Sequence, residues 1–185
     1  MKRFALLSAL ILGVAFVFQS CRGPEGLPGP QGPEGPAGPE ILPAVFDVSA
    51  TFTAANQYRQ SITMPSKLEV YDTDVVMVYL NYDVTTIGGK EAKIWRALPL
   101  VVPVNTGFFQ YNFDFTQYDV EFFLEGTIDL TTLDNTWTKD QLFRVVVIPA
   151  DKAPERKAAV DLSNYEEVAK AYGIDEAKVV KLEAR

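Results

Sequence analysis

Few residues in this chain are of the types that carry covalent or acid–base chemistry. There is one cysteine, Cys21, and no histidine. Imidazole-based metal sites and the Ser-His-Asp and Cys-His catalytic arrangements are therefore excluded, and no intramolecular disulfide can form. What remains is carboxylates: Asp114, Asp119, Glu121, Glu125 and Asp129 cluster in sequence. Two such groups about 5–9 Å apart form the acid and base of a glycosidase, and several together hold Ca²⁺ through oxygen. Yet Asp114, Glu121 and Glu125 fall on the polar faces of strands expected from alternation, where a solvated surface accounts for them. No EF-hand spacing is present. Lys90-Glu91-Ala92-Lys93 beside Gly88-Gly89 lacks the spacing and following helix of a phosphate loop. The expectation is a protein without catalysis, cofactor or metal.

Charge narrows the partners. The chain carries a net charge of −7, and without its first twenty residues, which hold Lys2 and Arg3 and no acid, it carries −9. A nucleic-acid binder needs a basic stripe to neutralise phosphates, and none is visible. The same sign argues against a polybasic grip on a membrane surface. Apolar residues make up 48% of the chain, including 12 Phe and 8 Tyr, so the part after the first forty residues has the material for one ordinary core.

Those first forty residues carry two signals. Met1-Lys2-Arg3 is a cationic start, and Phe4 to Phe18 is an apolar run interrupted only by Ser8 and Gly13. The run falls short of the ~20 residues that span a bilayer, and with its basic flank it reads as a secretory signal over residues 1–20. It ends in Ser20-Cys21. A small residue directly before a cysteine resembles the lipobox of bacterial lipoproteins. That resemblance implies a diacylglycerol on Cys21 and cleavage that leaves Cys21 as the first residue. Several acyl chains together anchor stably where one binds only marginally. Arg22, in place of an acidic retention residue, points by the same resemblance to the outer membrane. The alternative is an uncleaved signal anchor with an incidental cysteine.

Next comes a strict period of three. Gly23, Gly26, Gly29, Gly32, Gly35 and Gly38 open six triplets, GPE, GLP, GPQ, GPE, GPA and GPE. This resembles the collagen repeat, in which glycine at every third position lets three polyproline-II chains meet at a crowded axis. Two readings stay open for this stretch, a homotrimeric stalk and a single-chain spacer. Six triplets are few for a triple helix, and Glu25, Glu34 and Glu40 have no lysine partner. As one extended chain, the eighteen residues of the repeat reach about 55 Å.

The remainder, from residue 41, is expected to be one mostly β domain, an antiparallel sandwich or barrel-like fold with a short C-terminal helix. Phe46, Val48, Ala50 and Phe52 alternate with polar residues, and Asp47 and Ser49 are assigned to solvent. Residues 58–64 repeat the pattern weakly. Asp74 to Tyr82 and Leu142 to Ile148 are near-continuous apolar runs of the buried-strand type. Gly88-Gly89 predicts a hairpin of 74–84 with 92–102. Phe109, Tyr111, Phe113 and Phe115 alternate with polar residues in the clearest amphipathic strand, and Val120, Phe122 and Leu124 follow. This aromatic run is read as core, with a sugar-stacking platform as the alternative. Trp95 and Trp137 are the better candidates for exposed partner anchors. Ser163 with Glu166 predicts a capping box and Gly173 a C′ glycine around a helix. Residues 174–183 stay open between a second helix and a last strand.

The segments Trp95–Pro99, Gln110–Phe115 and Phe143–Asp151 are similar to a group of bacterial collagen-repeat lipoproteins, and the likeness covers most of the chain from Cys21 on. It implies location and architecture, and lends no activity. The expectation is a lipid-anchored envelope protein that displays a β domain on a collagen-like stalk, in a structural or surface-interaction role. A carbohydrate- or peptide-binding module, or a carboxylate-dependent hydrolase, displayed the same way are the alternatives.

Overall fold

Alternation in the first strand sends Phe46, Val48 and Ala50 to one face and Asp47 to the other, and strands of this kind build most of the structure. The computed structural model describes residues 43–150 and 160–184. In chain order the strands are β1 (Ala44–Ala50), β2 (Arg59–Thr63), β3 (Val75–Ile87), β4 (Lys90–Ala97), β5 (Leu100–Val104), β6 (Gly107–Phe115), β7 (Asp119–Gly126), β8 (Gln141–Ile148) and β9 (Val180–Glu183). One helical turn, α1 (Asn135–Thr138), precedes β8, and the two-turn helix α2 (Tyr165–Tyr172) follows it.

The strands form two sheets, ordered β4-β3-β8-β1-β9 and β2-β7-β6-β5. They pack face to face, and one buried cluster draws Phe46 and Val48 (β1), Val78 and Leu80 (β3) and Phe143 and Val145 (β8) from the first sheet. Phe109 and Tyr111 (β6) and Phe122 and Leu124 (β7) come from the second. Phe122 stacks on Phe143 with ring centroids 4.7 Å apart. The sheets do not close into a barrel: among the described residues each keeps two edge strands, which corrects the barrel alternative.

The expected 92–102 strand is divided. It runs as β4 in the first sheet, crosses at Leu98-Pro99, and continues as β5 in the second. Pro99 has no N–H to continue the ladder. The β3–β4 turn at Gly88-Gly89 has φ of 59° and 79°. Positive φ at both central positions is the type I′ hairpin turn that glycine accommodates without strain.

The pairing is antiparallel everywhere except at the last strand. Residues 174–183 contain a 3₁₀ turn, Glu176–Lys178, and then β9, which lies parallel to β1 with Phe46 opposite Val180. β8 ends where β1 begins. The helical segment returns the chain to that end, so the next strand must run in the direction of β1.

This C-terminal segment covers the second face of the first sheet. Tyr165 and Val168 of α2 pack on Tyr79, Val146 and Ile148. That makes β8 buried on both sides, which explains its near-continuous apolar sequence. The helix is capped by Asn164, whose side chain accepts from the N–H groups of Glu166 and Glu167. Ser163, the expected cap, instead donates its hydroxyl to Asp161. Gly173 closes the helix at φ 64°, as its position predicts. Asn164→Ala is expected to lower stability by about 1 kcal/mol in equilibrium urea unfolding, whereas Ser163→Ala is expected to be close to neutral.

Candidate functional site

Cys21 and the glycines at 23, 26, 29, 32, 35 and 38 lie outside the described residues. Within them, the carboxylates singled out by sequence are spread over the outer face of the second sheet and the turns beside it. Asp114 of β6 sits directly opposite Glu121 of β7, but Arg59 of β2 takes Glu121 in an ion pair and lays its guanidinium 4.4 Å from the centre of the Phe123 ring. Glu125 accepts from the side-chain amides of Asn112 and Gln110. Those two bonds, Asn112 first, hold its carboxyl below the usual range. Asp119 bonds Thr116 across the β6–β7 turn. Asp129 caps a 3₁₀ turn at Leu130–Thr132 through the hydroxyl and N–H of Thr131, which lower its pKa. Asp119, Glu121, Glu125 and Asp129 therefore each have a structural partner. Among the described residues no group of three His, Cys, Asp or Glu side chains is placed to hold a metal.

The aromatic run is core as its alternation implies except at its end, where Phe115, on the core face, is exposed. Phe109, Tyr111 and Phe122 are fully buried, and Phe115 is 47% exposed at the strand end. Both tryptophans differ from the expected exposed anchors. Trp137 packs partly buried against Phe109 and Tyr82, and its carbonyl accepts the Tyr111 hydroxyl at 2.7 Å. The four-residue α1 folds it back onto the core, capped by Asp134 through the N–H of Thr136. Trp95 is half-buried under α2, against Tyr165.

Trp95 belongs to a buried polar cluster centred on Arg144. Arg144 in β8 is 2% exposed and Asp47 in β1 is 4% exposed; they stand directly opposite across the ladder. The guanidinium Nε donates to Oδ1 of Asp47 at 2.7 Å and Nη2 to Oδ2 at 3.0 Å, a two-bond fork. The remaining nitrogen, Nη1, donates to the Tyr165 hydroxyl at 2.6 Å and to both oxygens of Glu176, at 2.7 and 2.6 Å. The Tyr165 hydroxyl in turn donates to Glu176. The guanidinium carbon of Arg144 lies over the Trp95 indole, 4.3 Å from the ring centroid. Burial opposes the charge of Arg144, but the bonds to Asp47 and Glu176 outweigh it and hold its pKa above the ordinary value. Burial, reinforced by the Glu176 bond, raises the Tyr165 phenol.

Sequence reasoning missed this cluster and placed Asp47 on a solvent face. The correction follows from α2 and β9, which bury that face. The available signal was Arg144 itself, one charge inside the run Leu142–Ile148. A residue of that type is buried only when paired. Every nitrogen of the guanidinium donates to a protein group, so the arrangement joins β1, β8, α2 and the 3₁₀ turn.

Beside it lies a cleft of about 480 Å³ between the β3–β4 hairpin and the start of α2. Trp95, Lys93 and Thr85 line one side, and Ser163 and Glu166 the other. Asn81, which pairs with Trp95 across the hairpin, has a buried side-chain nitrogen without a partner among the described residues. Comparison with protein-family models finds no match, and comparisons with curated proteins and with solved structures find none either.

Proposed function

We propose that this chain is a lipid-anchored cell-envelope protein that holds its β domain off an outer membrane on a Gly-Xaa-Yaa stalk, in a surface-interaction or structural role without catalysis. The observation that carries the reading is Cys21. It is the one cysteine in the chain, and it follows Ser20 at the close of a basic-then-apolar leader. The six glycine-led triplets come directly after it, so the spacer begins at the anchor. The stalk serves either as a homotrimer or as a single extended chain. Support for a non-catalytic role comes from the acidic cluster, where Asp119, Glu121, Glu125 and Asp129 are engaged by structural partners on an open face.

Cys21→Ala is the test. The variant is expected to lose acyl-chain labelling completely and to leave the membrane fraction. Unchanged membrane association without labelling would replace the lipid anchor with an uncleaved apolar one. A second reading, display of a carbohydrate- or peptide-binding module, is favoured by the cleft lined by Trp95, Lys93 and Glu166.

A further inference from the structure

The β3–β4 hairpin extends past the rest of its sheet. β3 pairs with β8 only from Val75 to Leu80, while its pairing with β4 continues to Ile87. Beyond Asn81 the arm has no neighbouring strand on either side among the described residues, and β4 is the sheet edge. An edge strand offers a row of unpaired N–H and C=O groups, which proteins ordinarily guard with proline, bulges or lysine. Lys90–Ile94 contains no proline, and the register shift of the hairpin falls farther back, between Asn81 and Asp83. The guards are Lys90 and Lys93, and Glu91 stands between them.

The hairpin turn determines which backbone groups are free. A two-residue type I′ turn makes its closing pair, Ile87 with Lys90, a hydrogen-bonded one. The alternation of the ladder then turns the N–H and C=O of Lys90 and Ala92 toward β3, and those of Glu91 and Lys93 outward. A strand that pairs antiparallel with its own copy, centred on Ala92, places Glu91 opposite Lys93 of the second copy and Lys93 opposite its Glu91. The outward backbone groups would be exchanged at just these two pairs, and the side chains there are of opposite charge. The lysines that guard a lone edge become the complement of the same edge rotated by two-fold symmetry.

Apolar residues on the arm fit the same geometry. Ile87 is 68% exposed and Ile94 38%. Cross-strand pairing and period-two alternation place Ile87, Ala92 and Ile94 on one face of the arm. Two arms joined along β4 would bring two such strips side by side.

We propose that the β4 edge is an interaction surface for a second copy of this chain, joined antiparallel about Ala92 into a continuous sheet. The pairing does not depend on the lipid anchor, and it links chains independently of any association in the stalk. Disulfide trapping in the full-length protein tests it. In this register Ala92 faces its own copy in a non-hydrogen-bonded pair, where side chains come closest, within the span of a disulfide. Ala92→Cys is expected to yield a two-chain band on a non-reducing gel after mild oxidation. Thr86→Cys, exposed on the inner strand of the same arm, is expected to yield none above the wild-type chain, which supplies the blank for Cys21. Adding Glu91→Lys to Ala92→Cys is expected to cut the yield roughly tenfold, since two attractive pairs become repulsive. Adding Glu91→Lys with Lys93→Glu is expected to restore it. Equal yields from Ala92→Cys and Thr86→Cys, or a yield that ignores charge reversal, would overturn the proposal. So would loss in the double reversal, because the exchange of partners is what the register requires.

Discussion

Arg144→Met is expected to destabilise the domain by about 3–5 kcal/mol, the cost of leaving a buried charge without its partner. Asp47 is 4% exposed and takes both of its guanidinium bonds from Arg144. Glu176 is in a different position: its side chain is 58% exposed and can turn to water, so its share of the loss is small. The two carboxylates can therefore be told apart. Glu176→Gln is expected to cost about 1 kcal/mol or less, and Asp47→Leu alone several times that, because it strands the guanidinium. The double variant Arg144→Met with Asp47→Leu is expected to recover most of the loss, since apolar replacements of a buried pair are often neutral or better. Urea unfolding of the four proteins gives the coupling energy from a double-mutant cycle. A simple sum of the two single effects would mean that packing, not charge pairing, governs this face.

The cluster also fixes what lies on top of it. Tyr165 comes from α2 and Glu176 from the turn before β9, so one side chain of β8 binds both ends of the covering segment. Protection of the β9 amides against hydrogen exchange should fall in Arg144→Met more than protection in β6 and β7, which lie in the other sheet.

Much of this architecture is legible in the residues. Period-two alternation marks β1, β6 and β7 and the inward side of each, and two near-continuous apolar runs mark β3 and β8. Gly88-Gly89 marks the hairpin and Gly173 the end of α2. The missed parts share a physical cause. Alternation at Asp47 separates two faces of a strand, but it does not say that a distant segment covers the second one; that depends on residues 160–184 folding back across the sheet. The same covering buries Trp95, so an aromatic beside a polar residue was not a sign of exposure. At the start of α2, Ser163 and Asn164 are both good caps, and the choice falls to the residue whose carbonyl begins the helix. The division of β4 from β5 at Pro99 is the kind of corner that a proline permits but does not dictate. Four of the five sequence-clustered acids have in common only that they are satisfied locally, and sequence proximity in adjacent strands is not convergence on one cleft.

Phe143→Ala is expected to cost about 3–5 kcal/mol, a large share of the total stability of ordinary domains, about 5–15 kcal/mol. Phe143 sits where the two sheets meet. It stacks on Phe122 at 4.7 Å and meets Phe52 and Tyr111 edge-on at 6.0 and 6.1 Å. Truncation removes transfer energy and leaves a void that three aromatic neighbours on fixed strands and a tethered loop cannot fill. Tyr111 is held by its hydroxyl on the Trp137 carbonyl. Phe52 is held by its own N–H, bonded to the Thr138 carbonyl at 2.7 Å. Because neither ring can slide inward without breaking one of those bonds, the cost should lie at the upper end of the range. Phe143→Leu retains most of the volume and should recover more than half of it. Phe115→Ala, at a half-exposed strand end, is expected to cost less than about 1 kcal/mol. The midpoint of urea unfolding should therefore order the chains Phe115→Ala, Phe143→Leu, Phe143→Ala from most to least stable. A Phe143→Ala midpoint close to that of Phe115→Ala would mean that the sheets re-pack around the void, and that the contact between them is more plastic than its ring geometry implies.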